Sequence, residues 1–201
     1  MRCCSGYVAS FCLASSLLSA QPAEVFKSPG AGFEITKPQG WIFFTAQQNV
    51  QNLSQIKVDD PAVKAAMLAN GAPLVEFIKP SATTLMKPTV AVLFQPLGKL
   101  AGRPATQLME VVLPIIGRGF KDVRVTYGPN AMDFKGFPAA YAQMVYTLRT
   151  QAGQSIPVLS ELWIFPYRDS VYIINVEMVW QDDPALRSEL TDIINSIKIG
   201  R

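Results

Sequence analysis

The feature that most constrains this chain is a pair of apolar runs, Val158–Phe165 and Val171–Trp180, separated by a short polar break at Arg168-Asp169. Both runs are rich in β-branched and aromatic residues, and each is too short to be a long helix. They read as two strands, with the break as the turn of an antiparallel hairpin. If Tyr167 faces Ser170 across that turn, alternation puts Glu161, Trp163, Phe165, Tyr172, Ile174 and Val176 on one face. The other face takes Ser160, Leu162, Ile164, Ile173, Asn175 and Glu177. Both faces are largely apolar, whereas a sheet with one wet face alternates apolar with polar positions. The hairpin therefore belongs inside a sheet covered on both sides.

Helical signals supply the covers. Asp182-Asp183-Pro184 offers an Asp cap followed by Pro at the first helical position, where its missing N–H costs nothing. Leu186, Leu190, Ile193, Ile194 and Ile197 then form an apolar stripe at helical spacing. Asp59-Asp60-Pro61 repeats the device before a helix expected to run to Ala69, with Asn70-Gly71 as a left-handed stop. A third helix is expected from Pro104, carrying Leu108, Val111, Val112 and Ile115 on one side, with Pro114 kinking it or ending it early. Further strands are expected over Gly32–Pro38, Trp41–Phe44, Leu74–Ile78, Thr89–Gln95 and Ala140–Arg149. Val123–Tyr127 and Ala131–Phe134 read as two more strands about a turn at Gly128-Pro129-Asn130. The expected fold class is α+β: an antiparallel β-sheet flanked by helices on both faces, an α/β/α sandwich.

The N-terminus carries one charge at Arg2, an apolar run from Tyr7 to Leu18, and small residues before Gln21-Pro22. Those are the three parts of a secretory signal, with cleavage expected after Ala20. Cys12 raises a lipoprotein signal as a rival, but the bulky Phe11 precedes it where a small residue is needed. Residues 1–20 are thus read as a cleaved signal peptide, 21–31 as a flexible lead-in and 32–201 as a single domain of an exported protein, periplasmic or extracellular. Loss of Arg2 takes the formal charge from +3 to +2, and the remaining charges are scattered singly. Without a basic cluster interleaved with aromatics, nucleic acid is not an expected partner.

All three cysteines lie in the leader, and the chain has no histidine. The mature domain then has no disulfide, Cys nucleophile, Ser-His-Asp triad or His/Cys metal site to draw on. Phosphate-loop and dinucleotide fingerprints are missing too, and Gly117-Arg118-Gly119 reads as a helix end. The best carboxylate pair, Glu161 and Glu177, falls on opposite faces of the hairpin, so the two cannot flank one substrate as glycosidase carboxylates do. The Asp pairs lack the spacing of a calcium loop, and helix capping accounts for them. Trp41, Trp163 and Trp180 read as core residues or as the lining of a ligand groove. No catalytic residue, metal site or cofactor is expected.

The opening Gly32-Phe33-Glu34-Ile35-Thr36-Lys37-Pro38-Gln39-Gly40-Trp41 resembles the strand, Pro, Gly-Trp start of the PsbP-like superfamily. The closing hairpin, Glu161–Phe165 to Tyr172–Val176, and the helix ending Ile194-Asn195-Ser196-Ile197 fit the same template. That superfamily includes an extrinsic photosystem II subunit, a Ran-binding nuclear import factor and small exported bacterial proteins. The resemblance implies an antiparallel sheet sandwiched by helices and a non-enzymatic accessory or binding role. The expected function is to engage a protein partner in the cell envelope. The alternative is a small-molecule or lipid carrier with a pocket between sheet and helix. Either way, Trp163, Phe165, Glu161 and Tyr172 are the candidate ligand-binding residues.

Overall fold

The hairpin that dominates the sequence dominates the fold. In a computed structural model of the protein, residues 24–45, 47–48, 73–80, 86–118, 120–149, 153–180 and 183–200 are described. The elements are β1 (Glu24–Ser28), β2 (Phe33–Lys37), β3 (Ile42–Thr45), β4 (Val75–Ile78), β5 (Thr89–Pro96), α1 (Ala105–Gly117), β6 (Lys121–Phe134), β7 (Phe137–Arg149), β8 (Ser155–Tyr167), β9 (Ser170–Val179), α2 (Pro184–Asn195) and β10 (Lys198–Ile199). Among the described residues the strands form a seven-stranded sheet, in the order β3-β4-β5-β9-β8-β7-β6, and a three-stranded sheet, β1-β2-β10. Every neighbouring pair is antiparallel. Tyr167 faces Ser170 across the β8–β9 turn, so the two faces of the hairpin are the ones that alternation predicts.

Each face of the large sheet has its own core. On one, Leu108, Met109 and Leu113 of α1 pack with Met144, Leu162 and Ile164. On the other, Leu190 and Ile193 of α2 pack with Phe33 and Ile35 of β2 and with Phe165 and Tyr172. The α+β class with an antiparallel sheet is as expected, but the simple sandwich is not the whole description. The small sheet shares the second face with α2, and among the described residues these two cover only part of it, leaving Tyr127 at its β6 end exposed.

Both described helices begin as their sequences direct. Asp183 Oδ1 accepts the Leu186 N–H at 3.0 Å, and Pro184 follows as the first helical residue. Helix α1 begins directly after Pro104 and, of the two outcomes expected at Pro114, does not end early but continues to Gly117. Proline in a helix interior forfeits one hydrogen bond. Here it lies in the last turn, where few bonds remain to lose, and burial of Leu108, Met109 and Leu113 holds the helix on the sheet.

Two further expectations change. The lead-in is ordered from residue 24: β1 pairs with β2, setting Glu24 opposite Lys37 and Lys27 opposite Glu34, with ion pairs of 2.8 and 3.0 Å. Facing opposite charges favour that register. The two strands expected around Gly128-Pro129-Asn130 are one strand, β6, whose register to β7 shifts three times. Such bulges admit extra residues without ending the pairing. The leader 1–20 and the helix expected over 61–69 lie outside the described residues. Among the described residues, no helix is long and apolar enough to cross a membrane.

Candidate functional site

The open part of the second face lies over β6, β7 and β8. Register sets Tyr127 opposite Gln143, Tyr141 opposite Trp163, and Gln143 opposite Glu161. The result is a row of three rings: Tyr127 to Tyr141 at 5.9 Å between centroids, and Tyr141 to Trp163 at 4.9 Å. Tyr127, on the edge strand, is 52% exposed, while Tyr141 and Trp163 are half-buried. Gly128 lets β6 lie this close to β7. Its φ is +79°, and a Cβ there would stand 2.4 Å from the Tyr141 carbonyl oxygen. An L side chain disfavours that backbone and has no room in that space.

Polar groups line one side of the row. Gln143 Nε2 donates to the Tyr141 hydroxyl oxygen at 2.6 Å and to Glu161 Oε1 at 3.0 Å. Burial, then the nearby Glu161 charge, push the Tyr141 hydroxyl up to about 12. Arg187 of α2 approaches Glu161 Oε1 at 3.9 Å. Between β8, β9 and α2 lies a cavity of about 220 Å³, floored by Val176 and Met178 and walled by Glu161, Trp163, Arg187 and Leu190. Aromatic faces, an amide, a carboxylate and a guanidinium thus meet on one surface. They can hold a ligand by stacking and by charge-assisted hydrogen bonds.

Two of the four residues singled out in the sequence, Glu161 and Trp163, stand at this cavity. The other two do not. Phe165 and Tyr172 are fully buried and stack on each other at 5.0 Å, with Phe134 and Phe33 on either side. The Tyr172 hydroxyl donates to the Ala31 carbonyl oxygen, and burial pushes it well above the ordinary tyrosine range. Both rings therefore belong to the core. Trp41 is also buried, and its Nε1 donates to Glu189 at 3.1 Å; Trp180 is about half exposed. Tyr127, Tyr141, Gln143 and Arg187 escape a reading of the sequence. Their meeting depends on the bulged register of β6 and on the position of α2, and neither has a local signal.

A second polar cluster occupies the opposite face. Ser160 donates to Asn175 at 2.8 Å, and Asn175 donates to Glu177 at 2.9 Å. The Tyr146 hydroxyl also bonds Glu177, and burial raises it strongly. Burial, followed by repulsion from Glu177, pushes the Glu76 carboxyl up as well. Glu161 and Glu177 therefore lie on opposite faces, as alternation requires. Among the described residues, no group of three or more acidic, His or Cys side chains could hold a metal ion.

No family model matches the chain. No curated protein matches it either. Solved structures do resemble it. The solution structure of cyanobacterial PsbP (CyanoP) from Synechocystis sp. PCC 6803 superposes with a TM-score of 0.52 at 14% identity, over 94% of this chain and 99% of that one. LpqN of Mycobacterium tuberculosis, involved in cell envelope biogenesis, gives 0.47 at 12% identity, over 91% and 88% of the two chains. The Saccharomyces cerevisiae Ran-binding protein Mog1p gives 0.46 at 7%, over 88% and 95%. The closing hairpin with its helix and the near-complete overlap with CyanoP agree: this chain has the PsbP-like fold.

Proposed function

We propose that the chain is an exported, non-enzymatic accessory protein that binds a protein partner of the cell envelope through the Tyr127–Tyr141–Trp163 face. The observation that carries this reading is the half-open aromatic row. Two of the seven large apolar side chains found exposed among the described residues, Tyr127 and Met132, lie on this face of the one edge strand β6. Tyrosine, tryptophan and arginine are the residues that anchor protein interfaces, the two aromatics by large area at low entropic cost and arginine by its planar hydrogen-bonding fork. The polar rim of Gln143, Glu161 and Arg187 suits such a patch. Export rests on the N-terminal leader read from the sequence.

The carrier alternative draws less support. The cavity of about 220 Å³ beside α2 falls short of the roughly 300 Å³ at which small-molecule sites begin, and charged groups stand in its wall. An enzyme of the glycosidase kind would need two carboxylates about one substrate, and Glu161 and Glu177 lie on opposite faces of the sheet.

The test is affinity capture from the native envelope fraction with three baits: the wild-type chain, Tyr127→Ser and Ile115→Ser. Ile115 is an exposed apolar residue of α1 and serves as the control. A partner retained by the wild type and Ile115→Ser but lost with Tyr127→Ser is the expected outcome. Identical capture by all three baits would remove the aromatic face from the proposal.

A further inference from the structure

We infer that the cavity beside Trp163 receives a cation, the guanidinium of an arginine side chain presented by the protein partner. The inference rests on the reading of the aromatic face as the binding surface, and it names what that surface recognises.

Glu161 is the starting point. Its side chain is only 16% exposed, yet its closest donors, Gln143 Nε2 at 3.0 Å and the Tyr141 hydroxyl, are neutral. The resident cation, Arg187 Nη1, stands 3.9 Å away. A charge-assisted N–H···O bond is about 2.7–2.9 Å long, and at 3.9 Å Arg187 makes none with Glu161. Glu189 on the same helix shows the contrast, because Lys79 Nζ closes on its two oxygens at 2.8 and 2.7 Å. A carboxylate that is mostly buried and loosely neutralised attracts a further positive charge.

The surroundings specify which cation. Trp163 walls the cavity with Glu161, and Tyr141 packs 4.9 Å from Trp163. Ring faces carry negative electrostatic potential and hold cations above them, guanidinium more often than ammonium. A guanidinium also offers a planar fork that can stack on a ring while donating to a carboxylate, which an ammonium cannot do. Arg187 is no obstacle, since its side chain is 42% exposed and held to Glu161 by no hydrogen bond, so it is able to swing into solvent.

The experiment is a titration of the full chain, purified as the host cell processes it, followed by NMR. The probes are N-acetyl-arginine methylamide and its neutral isostere, N-acetyl-citrulline methylamide. The Trp163 indole N–H, assigned with Trp163→Phe, is the reporter. The arginine probe is expected to shift this signal and to bind about tenfold tighter than the citrulline probe at low salt. Glu161→Gln should erase that preference. Arg187→Ala, by removing the competing cation, should tighten arginine binding several-fold, a gain that a structural role for Arg187 would not produce. Equal binding of the two probes, an unmoved Trp163 signal, or weaker arginine binding by Arg187→Ala would overturn the inference. So would a Trp163 shift produced by acetate and abolished by Arg187→Ala, because the site would then be an anion site. The wild-type comparison of the two probes stands even if a variant fails to fold. Failure here, with the partner still captured through Tyr127, removes the arginine and leaves the binding face.

Discussion

At the scale of single residues, two glutamates should give the molecule opposite pH signatures. Burial and the neighbouring Glu177 hold the Glu76 carboxyl above its ordinary range, so the folded state binds that proton more tightly than the unfolded chain does. The associated stability is complete below the ordinary carboxylate range and is lost as pH rises through the raised value. Glu76→Gln should therefore raise Tm at pH 7 by about 2 °C, and the gain should vanish below about pH 4. Glu189 behaves in the other sense. Burial resists its ionisation, but hydrogen bonds from Lys79 and Trp41 outweigh that and lower its pKa. Its contribution is present above the ordinary carboxylate range and fades as pH falls through the lowered value. Glu189→Gln should lower Tm at pH 7, by no more than the effect of about 1 kcal/mol because the Lys79 pair is partly exposed, and the loss should shrink in acid. Thermal melts of both variants from pH 3 to pH 8 check the two signs together. A third titration concerns the site: Tyr141 should resist ionisation until about pH 12, and Glu161→Gln should bring that value down by removing the adjacent charge. Ultraviolet difference spectra of the phenolate follow it directly.

At the scale of elements, legibility follows from whether the cause of an element is local. Helix α2 could be read from its sequence because cap, proline and apolar stripe all lie within residues 182–197. Removing the cap with Asp183→Ala should cost about 1 kcal/mol, seen as a lower midpoint in denaturant with an unchanged slope. The β8–β9 hairpin was equally legible, since alternation and a two-residue turn fix its register. Strand β6 was not. Gly-Pro-Asn is a common turn signal, and only pairing with β7 on both sides of it keeps the two halves in one strand. That misreading hid the site, because it separated Tyr127 from the strand carrying Tyr141 and Gln143. Gly128 is the residue where this pairing is most exacting. Gly128→Ala would force a Cβ against the Tyr141 carbonyl in a left-handed backbone, a conformation that alone costs roughly 1–2 kcal/mol. It should lower Tm and alter the near-ultraviolet circular dichroism of the Tyr141–Trp163 pair, whereas Gly40→Ala, where nothing lies within 4 Å of the added Cβ, should leave that signal alone.

At the scale of the whole molecule, the sheet divides its labour between faces and between ends. One face carries α1 and its own core together with the Ser160–Asn175–Glu177 cluster. The other is closed toward β9 by α2 and the small sheet, and opens toward β6. The candidate residues split along that line: Phe165 and Tyr172 lie under the cover, while Trp163 and Glu161 stand at its margin. Strand alternation put all four on one face but could not say how far α2 reaches across it. Coverage is a tertiary property, set by where a helix docks, and no spacing in the sequence records it. The central claim is that the uncovered margin is where a partner sits. Photo-crosslinking in the producing cell tests it most directly, with a benzophenone amino acid placed at Tyr127 in one strain and at exposed Val25 of β1 in another. The account predicts a discrete protein adduct from position 127 and none from position 25. Adducts of equal yield from both positions, or from position 25 alone, would contradict it.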